Sequence, residues 1–412
     1  MSRVLSTPKQ APHGRTLVAG EPTLFHCNHY NYWLQKTLLL PTDLKMGEVI
    51  RDAAASVAHA WVSNAREELG FEDAAGALQF AADAFAQHGF GTIDFSEADA
   101  DGGTVRTPTS HYGQCFRSIV DGDFAEPQTY FDQGYAAGAV AAAYGLDAGA
   151  FAARCEQCMA LGAEEGVIAL VRRDEPADSF NSPGEGKGSG QEPPPQSEHT
   201  NVDEAAVLEA LAGLDFSGNE EGLIPRFGVM LTHHFANFYD RISFEFVRRM
   251  GDTGLLEYGE QLLVDAGYRC AFNTFGGIMT SAEWDAVVRP QCETREDWVH
   301  GMVAVVNALG WGVWRVHELS EDKLVVRIWD DYESRGWLGM YGEADRPICY
   351  LAQGGAAGIM NLVYTGGIAD GPTLDEDYFK EIFESEDRYV AEQTKCMAQG
   401  DDFSEIVVTK EG

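Results

Sequence analysis

Residues 25–33 read Phe-His-Cys-Asn-His-Tyr-Asn-Tyr-Trp, and residues 231–240 read Leu-Thr-His-His-Phe-Ala-Asn-Phe-Tyr-Asp. Four of the chain's eleven histidines fall in these two short segments, and Asn31/Asn237, Tyr32/Phe238 and Trp33/Tyr239 align between them at an offset of 206. Imidazole, carboxamide and phenol groups interleaved with aromatic faces are the materials of a ligand pocket or an acid/base centre. On that reading His29 and His234 are the acid/base candidates, and His26, Asn31, Tyr32, Trp33, His233, Asn237 and Tyr239 are the binding residues. As a helix the first segment sets His26 and His29 on one face, close enough to share a ligand or metal; as a strand it points them to opposite faces. The plainer alternative is that both segments make polar contacts between domains, with the histidines satisfied by backbone carbonyls.

A second cluster runs Trp329-Asp330-Asp331-Tyr332-Glu333-Ser334-Arg335 and answers Thr109-Ser110-His111-Tyr112-Gly113-Gln114-Cys115. Tyr112 and Tyr332 correspond, but the carboxylates Asp331 and Glu333 occur only in the later segment. Asp331 with Tyr332 supplies a candidate general base, and Trp329 and Glu333 a binding surface; solvated charges at a strand end are the plain alternative. Cys155-Glu-Gln-Cys158 has redox or metal spacing, set against a buried pair of free thiols. No phosphate loop, nucleophile elbow or dinucleotide fingerprint is present, so nothing points to nicotinamide, flavin or ATP.

The elements that must position these groups are written twice. Residues 130–144 and 350–364 match at seven of fifteen positions at an offset of 220, including Gln133/Gln353, Gly134/Gly354 and Gly138/Gly358. Gly89-Phe-Gly91 answers Gly310-Trp-Gly312, and Cys158-Met-Ala-Leu-Gly162 answers Cys396-Met-Ala-Gln-Gly400. Periodicity predicts helices over 49–69 and 78–88, answered by 255–278 and 298–309. Hairpins follow at 92–97 with 104–112, and at 314–319 with 324–332. The Gln-Gly-x-Ala-Ala-Gly segments read as helices whose small residues admit a close neighbour, and strands at 167–171 and 406–409 close each copy. The expectation is an α+β fold of two homologous domains, each with N-terminal helices and an antiparallel hairpin-containing sheet, arranged as a pseudo-dimer. The divisions are a loose leader at 1–20, a first repeat at 21–173, a linker at 174–201 and a second repeat at 202–412. The stretch 174–201 is rich in Pro, Gly and Ser and reads as flexible.

With 65 acids against 29 bases, the formal charge is −36. Such a field repels phosphate backbones and anionic lipid surfaces, which argues against nucleic-acid and membrane partners. No apolar run is long enough to span a bilayer, and the first twenty residues lack a signal-peptide core. These features predict a cytoplasmic protein. The eight cysteines are widely spaced and read as free thiols. A homo-oligomer through the repeat domains is compatible with the pattern.

The order of elements resembles the 4-vinyl-reductase domain family, through Leu-Gly310-Trp-Gly and its hairpin, the Gly-x-Ala-Ala-Gly358 helix, and 392–408 with its Cys396-x-x-x-Gly400 step. That resemblance implies an α+β fold that binds small, largely apolar or aromatic molecules. The family commonly closes with a glutamate, a cysteine three residues later and another cysteine about eight beyond, which bind zinc with an upstream cysteine. Here Gly166 and Ser404 stand eight beyond Cys158 and Cys396, and Cys155 and Gln393 stand three before them. The incomplete set argues against zinc and leaves the cofactor unknown. A fainter similarity, in size and layout, is to proteins of the 2-aminothiazoline-4-carboxylate hydrolase type. The sequence thus points to a small-molecule-binding protein, with hydrolase, lyase or reductase chemistry as one elaboration and a carrier, sensor or assembly role as the other.

Overall fold

The computed structural model describes residues 9–10, 16–120, 124–177, 179–186, 188 and 190–411. Two halves repeat one order of elements. The first runs β1 (Lys9–Gln10), β2 (Thr16–Val18), β3 (Glu21–Cys27), α1 (Asn28–Leu39), α2 (Met46–Leu69) and α3 (Ala74–Gln87). It continues through β4 (Gly91–Asp99), β5 (Gly102–Ser110), α4 (Phe116–Ile119), α5 (Tyr130–Ala143), β6 (Phe151–Gln157) and β7 (Gly166–Arg172). The second comprises α6 (Glu204–Ala212), β8 (Ile224–Arg226), β9 (Val229–Phe235), α7 (Ala236–Asp252), α8 (Leu256–Cys270), α9 (Gly276–Met279) and α10 (Ala282–Val287). It closes with α11 (Arg295–Ala308), β10 (Val313–Leu319), β11 (Lys323–Trp329), α12 (Tyr332–Tyr341), α13 (Tyr350–Met360), α14 (Glu376–Phe383), β12 (Tyr389–Lys395) and β13 (Ser404–Lys410).

Each half builds the same antiparallel sheet, ordered β4-β5-β7-β6 and β10-β11-β13-β12. A third sheet, β1-β2-β3-β9-β8, joins the halves because β3 pairs with β9, setting Leu24 opposite His234 and His26 opposite Thr232. The α+β architecture with paired halves is therefore as expected. Its joint is a shared sheet built from the two histidine-bearing segments.

The repeated small-residue helices are explained by backbone contact. A Cβ on Gly138 would lie 2.0 Å from the Ala55 carbonyl oxygen, and one on Gly134 2.2 Å from that of Arg51, so α5 rests directly on α2. In the second half Gly354 meets Gly267 and Gly358 meets Ala271, seating α13 on α8. The Gly-aromatic-Gly steps are corners: Gly89, Gly91, Gly310 and Gly312 all have positive φ, between 83° and 120°, where other residues are strained. Each corner receives the opposite half's strand. Phe25 N–H donates to the Leu309 carbonyl and His233 N–H to the His88 carbonyl, both at 2.9 Å. Buried residues of both halves form one continuous core, including Trp61, Trp311 and Phe235. Each such large apolar side chain contributes roughly 1.5–3 kcal/mol by removal from water.

Within 174–201 the described residues form no helix or strand. They nonetheless touch the second half: Asn237 donates to the Gly184 carbonyl at 2.9 Å, and Arg315 to that of Pro194 at 2.8 Å. Among the described residues, no helix is long and apolar enough to cross a membrane, and all eight cysteines are free thiols.

Candidate functional site

The segment at 25–33 is neither all helix nor all strand. Cys27 ends β3 and caps α1, its sulfur accepting the Tyr30 N–H at 3.4 Å. His26 therefore lies in the central sheet and His29 in the first turn of α1, so the two do not share a helix face.

His234 is fully buried on β9. Its Nδ1 accepts the Phe235 N–H at 2.8 Å, which assigns the ring proton to Nε2, and Nε2 donates to the Tyr112 hydroxyl at 2.9 Å. Rings of Phe131, Phe238, Tyr239 and Phe90 stand 4.5–4.8 Å away. Burial, reinforced by His26 and His111, holds this imidazole well below its ordinary pKa. Beside it, Tyr239 donates to Asn31 Oδ1 at 2.5 Å, and Asn31 Nδ2 donates to His111 Nε2 at 3.0 Å and to Thr232 Oγ1 at 3.2 Å. His111 then carries its proton on Nδ1, which has no partner, and burial depresses its pKa to about 3.

Two further members of this seam carry unused hydrogen-bonding capacity. His26 is completely buried with neither ring nitrogen bonded, enclosed by Tyr30, Tyr239 and Trp311 at centroid distances of 4.2–4.9 Å. Asp240 on α7 is buried with neither carboxylate oxygen bonded. Burial, with Glu333 and Asp331 nearby, pushes its pKa well above the ordinary value. Asp240 fits only because position 336 is glycine, where a Cβ would fall 1.9 Å from Oδ2. Asn237, Asp240 and Tyr332 border a cavity of about 20 Å³, room for about one water molecule.

The remaining sequence-selected residues are dispersed. Asn237 Nδ2 donates to Glu21 and Ser182 at 3.0 and 2.9 Å. Tyr32 packs edge-on to Trp33 and Phe116, while Trp33 lies under Lys36 and Arg269. His233 stacks between Phe25 and His88, and Trp329 packs on Phe403. The stretch after Trp329 is a helix start. Asp331 caps α12 through the Ser334 N–H at 2.7 Å and accepts from Ser404 at 2.6 Å and from the Cys349 thiol at 3.2 Å. Glu333 caps α13, its two oxygens accepting the N–H groups of Leu351 and Ala352 at 3.0 and 3.1 Å. Burial nevertheless raises Glu333 to about 8. These carboxylates hold helix ends, and Tyr332 alone of the four acid/base candidates borders the small cavity.

His29 lies in a separate polar cleft of about 490 Å³ with Asn28, Ser118, Arg226 and Glu283. Its Nδ1 is unpartnered, and burial lowers its pKa to about 4.

A larger cleft, about 610 Å³, opens between α6, α11 and β10. Phe25, Leu208, Leu211, Phe216, Phe227, Val305 and Leu309 line it. Glu204 at its edge accepts from Asn307 at 2.6 Å and from Arg315 at 3.0 Å. The sequence motifs do not reveal this cleft because α6 lies at the very start of the second repeat, ahead of every motif shared by the two copies. The amphipathic spacing of Val207, Leu208 and Leu211 was its available signal.

In the second half Gln393, Cys396 and Ser404, the numbered positions of the implied zinc set, converge with Cys349, a cysteine upstream of them. Gln393 turns its amide nitrogen toward Cys349 Sγ at 3.2 Å, while its oxygen accepts the Cys349 N–H at 2.9 Å. A donor facing the sulfur is the wrong polarity for a metal ligand, so this set forms a closed hydrogen-bonded knot that does not fit zinc. Among the described residues, no group of three or more His, Cys, Asp or Glu is arranged to hold a metal.

No protein-family profile and no curated protein matches the chain. Among solved structures, it is similar to the crystal structure of the phenol-responsive sensory domain of the transcription activator PoxR with phenol, at 13% identity and a TM-score of 0.36. That match covers 50% of this chain and 89% of the other.

Proposed function

We propose that the protein binds a small, largely apolar or aromatic molecule in the 610 Å³ cleft between α6, α11 and β10. The observation that carries this reading is the cleft itself. Its volume falls in the range of roughly 300–1,000 Å³ typical of small-molecule sites, and its lining is apolar and aromatic with a few polar groups at one edge. Glu204, Asn307 and Arg315 would orient a polar substituent while Phe216, Leu208 and Leu211 cover the apolar body. A carrier or sensor role follows more directly than catalysis. The buried histidines act chiefly as the joint between two halves that we read as a duplicated domain, in keeping with the resemblance to the 4-vinyl-reductase domains. Acid/base chemistry by His29, His234, Asp331 and Tyr332 is the second reading, favoured by the unpartnered nitrogens of His29 and His26 and by Asp240. Around Tyr332 it requires the 20 Å³ cavity to enlarge.

Titration with the neutral fluorophore N-phenyl-1-naphthylamine tests the binding reading. Saturable enhancement in the wild type, weakened roughly tenfold or more by Leu208→Trp, is expected from filling the cleft. Equal binding by both proteins places the probe elsewhere and refutes the assignment.

A further inference from the structure

Cys155 and Cys158 lie away from the cleft and the histidine seam. In a regular strand, residues three apart face opposite sides of the sheet. β6 breaks that alternation: Cys155 pairs with Ile168 and Gln157 with Val167, leaving Glu156 as an extra bulged residue. The bulge shifts the two cysteines out of strict alternation and leaves them near enough for each thiol to shift the other's ionisation. Thr129 donates to Cys155 Sγ at 3.6 Å, and the Cys155 thiol donates to the Gln157 carbonyl at 3.0 Å.

Cys158 stands immediately before the tight turn Met159–Leu161. The neighbouring Cys155 thiol and the main-chain N–H groups of Gln128, Ala160 and Leu161 favour its thiolate and hold its pKa below the ordinary range, while the proximity of Cys158 and burial raise Cys155. Asp132, a buried carboxyl, has its pKa raised to about 8 by burial with a further contribution from Cys158. Cys158 is only 2% exposed, whereas Cys155 is partly open to solvent.

The second half supplies a contrast within the same chain. Cys396 precedes the equivalent turn, but Gln393 occupies the place of Cys155, and its partner thiol Cys349 is fully buried, as is Cys396 itself. Both halves cradle a cysteine. Only the first gives it a neighbouring thiol that meets solvent.

We propose that Cys158 and Cys155 form a hydroperoxide-reactive pair, with Cys158 as the attacking thiolate and Cys155 as the resolving thiol. The Cys158 sulfur attacks one peroxide oxygen, the O–O bond breaks, and hydroxide leaves, giving a sulfenic acid. The Cys155 sulfur then attacks the Cys158 sulfur, the S–O bond breaks, and water leaves with the Cys155 proton, giving a Cys155–Cys158 disulfide. Peroxide is reduced by two electrons, and two thiols are oxidised by two. An exogenous dithiol reverses the change by exchange.

The test treats the full-length protein with equimolar hydrogen peroxide, alkylates remaining thiols after denaturation, and maps tryptic peptides by mass. Residues 155–172 form one tryptic peptide carrying both cysteines. The expected result is loss of two hydrogens from that peptide, reversed by dithiothreitol, with Cys349 and Cys396 still alkylated. Cys155→Ser should leave a dimedone-trappable sulfenic acid on Cys158, and Cys158→Ser should leave Cys155 reduced. Should either variant misfold, alkylation of the native wild type remains decisive, with Cys158 expected to react roughly tenfold or more faster than Cys396. Oxidation of Cys155 in the Cys158→Ser protein at the wild-type rate overturns the assignment. So does a wild type whose Cys155 and Cys158 remain reduced, or whose Cys158 is alkylated no faster than Cys396.

Discussion

Replacing Asp132 by Asn should flatten the pH dependence of stability above neutrality. Asp132 is fully buried on α5, with one oxygen accepting from Ser110 Oγ at 2.5 Å and the other unpartnered. Burial raises its pKa from 3.8 to about 8. A native pKa raised above the unfolded one contributes stability that is fully present below about pH 3.8 and is lost as pH climbs toward about 8. Between pH 6.5 and 7.5 the native carboxyl keeps its proton while the unfolded one has lost it, so this group costs about 1.4 kcal/mol per pH unit. Glu333, raised to about 8, acts with the same sign. The buried histidines act oppositely: His29 and His88 are lowered to about 4 and His111 to about 3, so their contribution is lost as pH falls below about 6.5. Wild-type stability should therefore peak near pH 6.5. Urea denaturation at half-unit steps from pH 6.5 to 7.5 should give Asp132→Asn a slope shallower by about 1.4 kcal/mol per pH unit. The infrared carbonyl band of a protonated carboxylic acid should weaken in the same variant. Parallel stability curves, with no loss of that band, would refute a protonated Asp132.

Gly138→Ala places a methyl against the Ala55 carbonyl, 2.0 Å from its oxygen, and should destabilise by about 1–3 kcal/mol or more in urea denaturation. Glu333→Ala leaves the Leu351 and Ala352 N–H groups unpaired and should lower stability by about 2–4 kcal/mol, with Glu333→Gln falling between it and the wild type. Tyr239→Phe removes the donor to a buried Asn31 oxygen and should cost about 1–3 kcal/mol by the same assay.

Much of the fold was written in the sequence because backbone contact constrains residue type directly. Gly134, Gly138, Gly354 and Gly358 announce helices that touch other helices, and the four corner glycines announce positive φ. Both hairpins and both closing strands follow from alternation. The strands β6 and β12 were missed because a bulge interrupts the period-two signal in each. Residues 25–33 gave a mixed signal because they contain the boundary between β3 and α1. The plainer interface reading fits the histidine segments best, since β3 and β9 pair at the centre of the joint. Their side chains bond partly to one another, as Asn31 does to His111 and Tyr239. In sequence Asp331 reads as a candidate base and Glu333 as a binding residue, yet an acid three residues before Ser334 and another aimed at the start of α13 serve as caps. Sequence shows the charge but not which N–H group it meets. The α6 cleft depends on a segment that carries none of the shared motifs folding against α11 and β10, a long-range contact that periodicity does not encode.

The most direct test of the binding claim is native mass spectrometry of the wild type and Leu208→Trp, each with N-phenyl-1-naphthylamine at the same concentration. One probe molecule per wild-type chain, with little or none on the variant, is the predicted result. Equal occupancy of both proteins, or none on the wild type, would contradict a ligand site in the cleft beneath α6.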